Sequence, residues 1–292
     1  MLGWLDSNLV SMVDGVAYGL LLFTLAVGLS LVFGMMDVLN LAHGSLYLVG
    51  AFTAYAFSDG GWGGFLLALL VGTALGVAGG GLLAVLTAPL ASRGHLDQAV
   101  LTLGVAFIAA EIMSMIFGAE VLPTQPPDAL SGTASLAGHS YPVYRLVFIA
   151  VAALIAVSVH LVFEKTPLGA LVRATVADRD MVQAMGFDTR KILFGVFAFG
   201  AALATVGGVL GAPILAPGPG VDENVLVLSL VVIVIGGLGS VRGALIGGIV
   251  IGEVQTLGVA LLPDFAPFLL FGAMLVVLAL RPQGLRLQGA HA

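Results

Sequence analysis

Long apolar runs separated by short polar breaks make up almost the whole chain. They cover residues 9–34, 38–57, 65–90, 100–117, 143–163, 192–211, 225–235, 244–262 and 265–280, most of them at or near the length that crosses a bilayer as a helix. The pattern predicts an all-α, polytopic transmembrane helical bundle of eight or nine spans, forming one domain over residues 1–292. Two places interrupt the runs. Asn40, Ala42, His43, Gly44 and Ser45 break the start of the second, and Gly236, Gly237, Gly239 and Ser240 divide the seventh from the eighth. Breaks of this kind are tolerated at membrane depth only where protein or water surrounds the backbone. In the third run Gly72, Gly76 and Gly80 recur every four residues, a small-residue stripe that lets two membrane helices approach closely.

One long polar segment stands apart, residues 166–191, with Arg173, Arg179, Arg190 and Lys191 set against Asp178, Asp180 and Asp188. Pro167 is placed to start a helix and Gly186 to end it. Between them Ala170, Leu171, Ala174, Ala177, Met181 and Ala184 recur at spacings of three and four. The spacing predicts a single amphipathic helix outside the membrane, with Ala177 and Ala184 on one face. Periodicity alone leaves two roles open for it, lying on the lipid surface or docking on a partner.

Composition narrows the class. With 60% hydrophobic and 9% charged residues and a mean hydropathy of +1.14, the chain is no soluble globule. It has no cysteine, which excludes disulfides, thiolate metal sites and cysteine nucleophiles. The net charge of −6 and the lack of a basic cluster exclude a nucleic-acid footprint. Residues 1–15 carry no Lys or Arg and no small-residue cleavage pattern, so the first run is expected to be a retained span. With segment 166–191 inside and the spans alternating, Arg93, Lys165, Arg173, Arg179, Arg190, Lys191, Arg242, Arg281 and Arg286 fall on the cytoplasmic side and Arg145 alone falls outside. The N-terminus is then external, the C-terminus internal, and 118–142 the longest external loop.

Motifs for chemistry are missing. Neither lysine follows a glycine in a phosphate loop, and there is no Gly-x-Ser-x-Gly elbow or His-Glu-x-x-His zinc helix. No three of the five histidines have metal-ligand spacing. An enzyme, a metal site and a bound cofactor are therefore not expected. Glu111 and Glu253 fall well inside apolar runs, where an ionisable group costs a few kcal/mol (roughly 3) unless it is paired, neutral or wet. Glu111 reads first as a packing clamp between helices, whereas Glu253 is as well suited to a translocation path. The pieces HGSLYLVGAF and RGALIGGIVI superpose with their glycine and small positions matching. They hint at an internal repeat with a pathway near its two interrupted segments, so Asn40, His43, Ser45 and Glu253 become pathway candidates.

The runs NLAHGSLYLVGAF, RATVADRDMVQAMGFDTRK and GGLGSVRGALIGG, in this order and at this spacing, resemble the membrane permeases of branched-chain amino acid ABC importers of the LivH type, over nearly the whole chain. The resemblance implies the ABC importer permease fold and a place as half of a transmembrane channel in the bacterial inner membrane. Its implied partners are a second permease of the LivM type, two ATPase subunits that bind the ATP, and a periplasmic substrate-binding protein. It also implies that segment 166–191 is the coupling element that docks on an ATPase, through Arg173, Ala177, Asp178, Ala184 and Gly186. Asp178 stands where other importers carry glutamate. Related permeases for urea, short amides or other small solutes share these motifs, and a secondary transporter is the alternative from another class.

Overall fold

The computed structural model describes residues 2–36, 38–90 and 94–281, so Arg93 and Arg286 of the charge argument lie outside the described residues. Its helices are α1 (Leu2–Met36), α2 (His43–Phe57), α3 (Trp62–Thr87), α4 (His95–Phe117), α5 (Val143–Lys165), α6 (Pro167–Ala177), α7 (Arg179–Ala184), α8 (Thr189–Gly211), α9 (Val221–Gly236), α10 (Val241–Leu261) and α11 (Ala266–Leu280). Six contain stretches long and apolar enough to cross a membrane: Asn8–Gly34, Trp62–Leu90, His95–Phe117, Val143–Lys165, Thr189–Gly211 and Val241–Leu261. The runs at 38–57, 225–235 and 265–280 yield shorter helices of 15, 16 and 15 residues in α2, α9 and α11. At about 1.5 Å per residue each is shorter than a straight crossing of the hydrocarbon core.

Small residues decide which helices meet. α1 and α10 form the most extensive contact, because glycines face glycines along it. A Cβ added to Gly19 would come within 2.7 Å of the Gly248 carbonyl, and one added to Gly252 within 2.5 Å of the Gly19 backbone. The Gly72, Gly76 and Gly80 stripe of α3 is buried against α8, over Val209, Thr205 with Ala201, and Phe197 with Ala201 respectively. α2 crosses α8 where Gly50 meets Thr205 and Gly208 meets Tyr47. With lipid as apolar as the side chains, such backbone approach and the dispersion contacts it permits are what hold the helices together. Leu21, Leu25 and Leu29 of α1 are wholly buried, which makes α1 the axis of the bundle.

Two departures from the sequence pattern stand at the ends. The segment 118–142 is not all loop: Thr133–Leu136 and His139–Pro142 form an antiparallel hairpin with Leu136 opposite His139. Its two-residue turn has φ of 49° at Ala137 and 91° at Gly138, the left-handed pair that matches strand twist. Alternation over four residues was too short to show it. The hairpin is tied to α1, because Tyr141 Oη donates to Asp14 Oδ1 at 2.6 Å and Arg145 pairs with the same carboxylate.

At the other end of α5, the single helix expected over 167–186 is two helices. The backbone leaves the helical region at Asp178, with φ −154° and ψ 96°, and Asp178 Oδ1 accepts the Met181 amide at 2.8 Å as N-cap of α7. The capping hydrogen bond competes with helix continuation. Ala177 and Ala184 therefore do not share one continuous helical face. The stop at Gly186 is as expected. Its φ is +87°, its amide donates to the Gln183 carbonyl at 2.9 Å, and the Phe187 amide donates to that of Val182 at 3.2 Å, the paired bonds of a Schellman end.

Candidate functional site

The broken segment before α2 sits deep in the bundle, and its polar residues serve the backbone that the break leaves bare. Asn40 Oδ1 accepts the Ala42 amide at 3.1 Å, and Ser45 Oγ donates to the Ala42 carbonyl at 2.8 Å. From α4, the Thr102 hydroxyl accepts the Leu41 amide and lies 3.1 Å from the Leu39 carbonyl. His43 opens α2, and its Nε2 donates to the Leu25 carbonyl of α1 at 2.9 Å, inside the Asn8–Gly34 span. All four polar side chains are buried. Among the described residues His43 Nδ1 has no hydrogen-bond partner. Without these bonds the free amides and carbonyls would each cost several kcal/mol (about 4) in hydrocarbon.

The second glycine break is a turn, not an interruption at depth. α9 ends at Gly236, Gly237 and Gly239 take φ of 91° and 74°, and Ser240 caps α10 by accepting the Gly243 amide at 3.0 Å. The Gly239 amide donates to Ser30 Oγ at 3.0 Å, close to the end of α1. Gly239 lies against Gly34, too close for a side chain on the latter. Thus Gly236, Gly237, Gly239 and Ser240 join two antiparallel helices at the end that carries α6 and α7.

Glu253 stands apart from Asn40, His43 and Ser45. It faces Gly15 of α1, where a Cβ would come within 2.6 Å of its carboxyl carbon, ten residues along α1 from the carbonyl that holds His43. Its Oε2 is buried with no hydrogen-bond partner among the described residues. The structure therefore does not gather the four pathway candidates at one point.

Glu111 is no packing clamp. It is exposed on α4 and lines an open cavity of about 680 Å³ between α2, α4 and the start of α9, with Phe52, Phe107, Ile108, Asp222 and Glu223. In the sequence Asp222 and Glu223 stand just ahead of the apolar run at 225, a place that reads as loop. The signal that places them is Gly218-Pro219-Gly220, a turn that hands two acidic residues to the first turn of α9.

In the polar segment, α6 folds back on α5 and α7 is tied to α8. Thr166 caps α6 by accepting the Gly169 amide at 3.3 Å, and Arg173 donates to the Phe163 carbonyl. Gln183 Nε2 and Arg179 Nε donate to Thr189 Oγ1 at 2.7 and 3.3 Å. Val172, Thr175 and Val182 are buried, whereas Ala177, Met181, Ala184, Met185, Gly186 and Phe187 are exposed. Asp178 and Arg179 thus each make a hydrogen bond within the chain while both remain exposed. At the head of α8 desolvation pushes the Asp188 carboxyl up, but the Lys191 and Arg190 amides and the Lys191 ammonium together outweigh it and hold the group below the usual carboxylate range.

A bundle of apolar helices with glycine seams, a deep polar break and an exposed two-helix element outside the spans defines a polytopic membrane protein of permease type. The family model described as "Branched-chain amino acid transport system / permease component" matches residues 11–278, and the chain belongs to that family. It is 26% identical over 95% of both chains to the high-affinity branched-chain amino acid transport system permease protein BraD of Pseudomonas aeruginosa. It is 24% identical to LivH, the corresponding permease protein of Escherichia coli K12, over 95% of this chain and 94% of LivH. A probable LivH of Methanocaldococcus jannaschii is 28% identical over 83% of this chain and 78% of its own. No solved structure matches the chain.

Proposed function

We propose that the chain is the permease subunit of a binding-protein-dependent ABC importer of branched-chain amino acids in the bacterial inner membrane, with its N-terminus outside and its C-terminus inside. It supplies half of the path, and a second, LivM-type permease supplies the other. Two ATPase subunits bind and hydrolyse the ATP, a periplasmic binding protein delivers the solute, and the chain holds no cofactor of its own. What carries the coupling role is the division of segment 166–191 between anchored residues, Val172 on α6 and Val182 on α7, and exposed ones, Ala177 at the end of α6 and Met181, Ala184 and Met185 on or after α7. Small residues there permit close approach, and the exposed methionines give adaptable apolar contact. ATP-driven closure of the ATPases moves α6 and α7, and the bonds to Phe163 and Thr189 pass that motion to α5 and α8. Asn40, His43 and Ser45 hold the helix break beside the path, and Glu253 acts nearer the other end of α1.

The test is Ala184→Arg beside Gly186→Arg in the assembled transporter. Ala184 is exposed on α7, so its variant is expected to fold, while ATPase copurification falls and hydrolysis no longer responds to leucine-loaded binding protein; Gly186→Arg also strains the left-handed turn at φ +87° and is read only as support for the Ala184 result. Full copurification with leucine-stimulated hydrolysis unchanged would remove α7 from the coupling role.

A further inference from the structure

The cavity between α2, α4 and α9 carries chemistry that the coupling and break residues do not use. Three of its lining side chains are acidic, Glu111, Asp222 and Glu223, and none is basic. Asp222 is only 8% exposed, and among the described residues no hydrogen bond or ion pair reaches its carboxyl group. The backbone there is fixed, since the Asp222 carbonyl abuts Gly44 in the first turn of α2 too closely for a side chain. Phe52, stacked on Phe117 at 4.7 Å, makes a rigid apolar wall, and Phe107 and Ile108 extend it along α4. No three acidic or histidine side chains among the described residues lie close enough to hold a metal ion. A carboxyl group without a protein partner that lines a largely apolar cavity attracts a cation of matching shape, and apolar walls around it favour an organic cation over a hydrated inorganic ion.

We propose that this cavity is a solute site that takes a primary ammonium group on Asp222 and Glu111 while its walls receive an aliphatic side chain. The proposal rests on the importer reading and gives it a specificity element. Glu223, exposed at the rim, supplies attraction at entry.

The chain has no native thiol, so Ser114→Cys, one helical turn from Glu111 and lining the same cavity, gives a single reporter in this subunit, whose modification is read on the separated permease band after labelling the complete transporter in phosphatidylcholine vesicles. A cationic methanethiosulfonate is expected to modify it about tenfold faster, relative to an anionic one, than it modifies a free thiol, because a charge-assisted bond is worth roughly that factor or more. Asp222→Asn and Glu111→Gln, each of near-native size, should bring the ratio close to that of the free thiol, and Asp222→Glu should keep it. Leucine and 3-methylbutylamine should slow the modification, and 4-methylpentanoate, which lacks the ammonium, should not. An unbiased ratio, equal protection by 4-methylpentanoate, or no modification because a partner chain fills the cavity would overturn the proposal. Protection that appears only when phosphatidylethanolamine is added would give the site to a lipid headgroup and overturn it equally. ATP-driven leucine uptake without protection sinks this site and leaves the importer standing. Protection without ATP-driven uptake does the reverse.

Discussion

The Thr102 hydroxyl of α4 bonds the Leu41 amide at 3.1 Å, across sixty-one residues of chain. Its hydrogen is shared among the carbonyls of Leu39, Gln98 and Ala99, all within 3.1 Å. One side chain thus closes the gap that the break opens between α1 and α2.

Thr102→Val keeps the shape and removes the bond. Thermal unfolding in detergent should show a loss of about 1–3 kcal/mol, the cost of a buried amide left unpaired, and Thr102→Ser should recover most of it. Equal stability of the valine variant would mean that water or another group serves Leu41.

Gly252 and Gly104 are both helical glycines, yet they should respond oppositely to alanine. At Gly252 the new methyl meets Gly19 within 2.5 Å, and overpacking costs about 1–3 kcal/mol. At Gly104 nothing lies within 4 Å, so the gain in helix propensity, up to about 1 kcal/mol, should appear as a higher unfolding temperature.

Asp178→Ala removes the cap of α7 at a cost of about 1 kcal/mol. Faster amide exchange confined to residues 179–185 is the expected readout. If exchange there is unchanged, α7 is held by Val182 and Thr189 alone.

The Tyr141 hydroxyl is held neutral by burial and by its bond to Asp14, so its pKa lies above the ordinary value of 10.0. A raised pKa contributes stability that is full below pH about 10 and is lost as the pH climbs towards the folded value. Melting curves between pH 9 and roughly 11 should fall more steeply for the native chain than for Tyr141→Phe, and parallel curves would count against the link.

Labelling from either side settles the orientation proposed above. Ser135 on the hairpin is exposed and suits a cysteine, but Thr189 is buried under Gln183, so the opposing reporter belongs at Lys191. Impermeant reagent added outside should reach position 135 and spare 191. The converse result inverts the map.

What the sequence made legible were features with a strong period or a strong exclusion. Apolar length located the helices of the bundle, six of them long enough to cross a membrane, and spacing by four located the Gly72, Gly76 and Gly80 face that meets α8. Gly186 read correctly as a helix stop because positive φ has few other tenants. The rest failed where two local forces competed. Asp178 carries no mark that says whether it rides on a helix or caps the next one, and the choice follows from how α7 ties to Thr189. Glu111 looked like a clamp because its neighbours in sequence are apolar, whereas its neighbours in space, Asp222 and Glu223, come from a hundred residues on.

The glycine seam between α1 and α10 also sets an order of events in synthesis. Gly19 meets Gly248, and roughly 230 residues must be made between them. At about 5–20 residues per second, α1 waits on the order of 10–45 s in the membrane before its partner exists. For that interval the groove left by Gly15 and Gly19 faces lipid or the insertion machinery. α1 therefore meets this neighbour late, and substitutions along its glycine face are expected to lower the yield of inserted protein before they touch the finished fold.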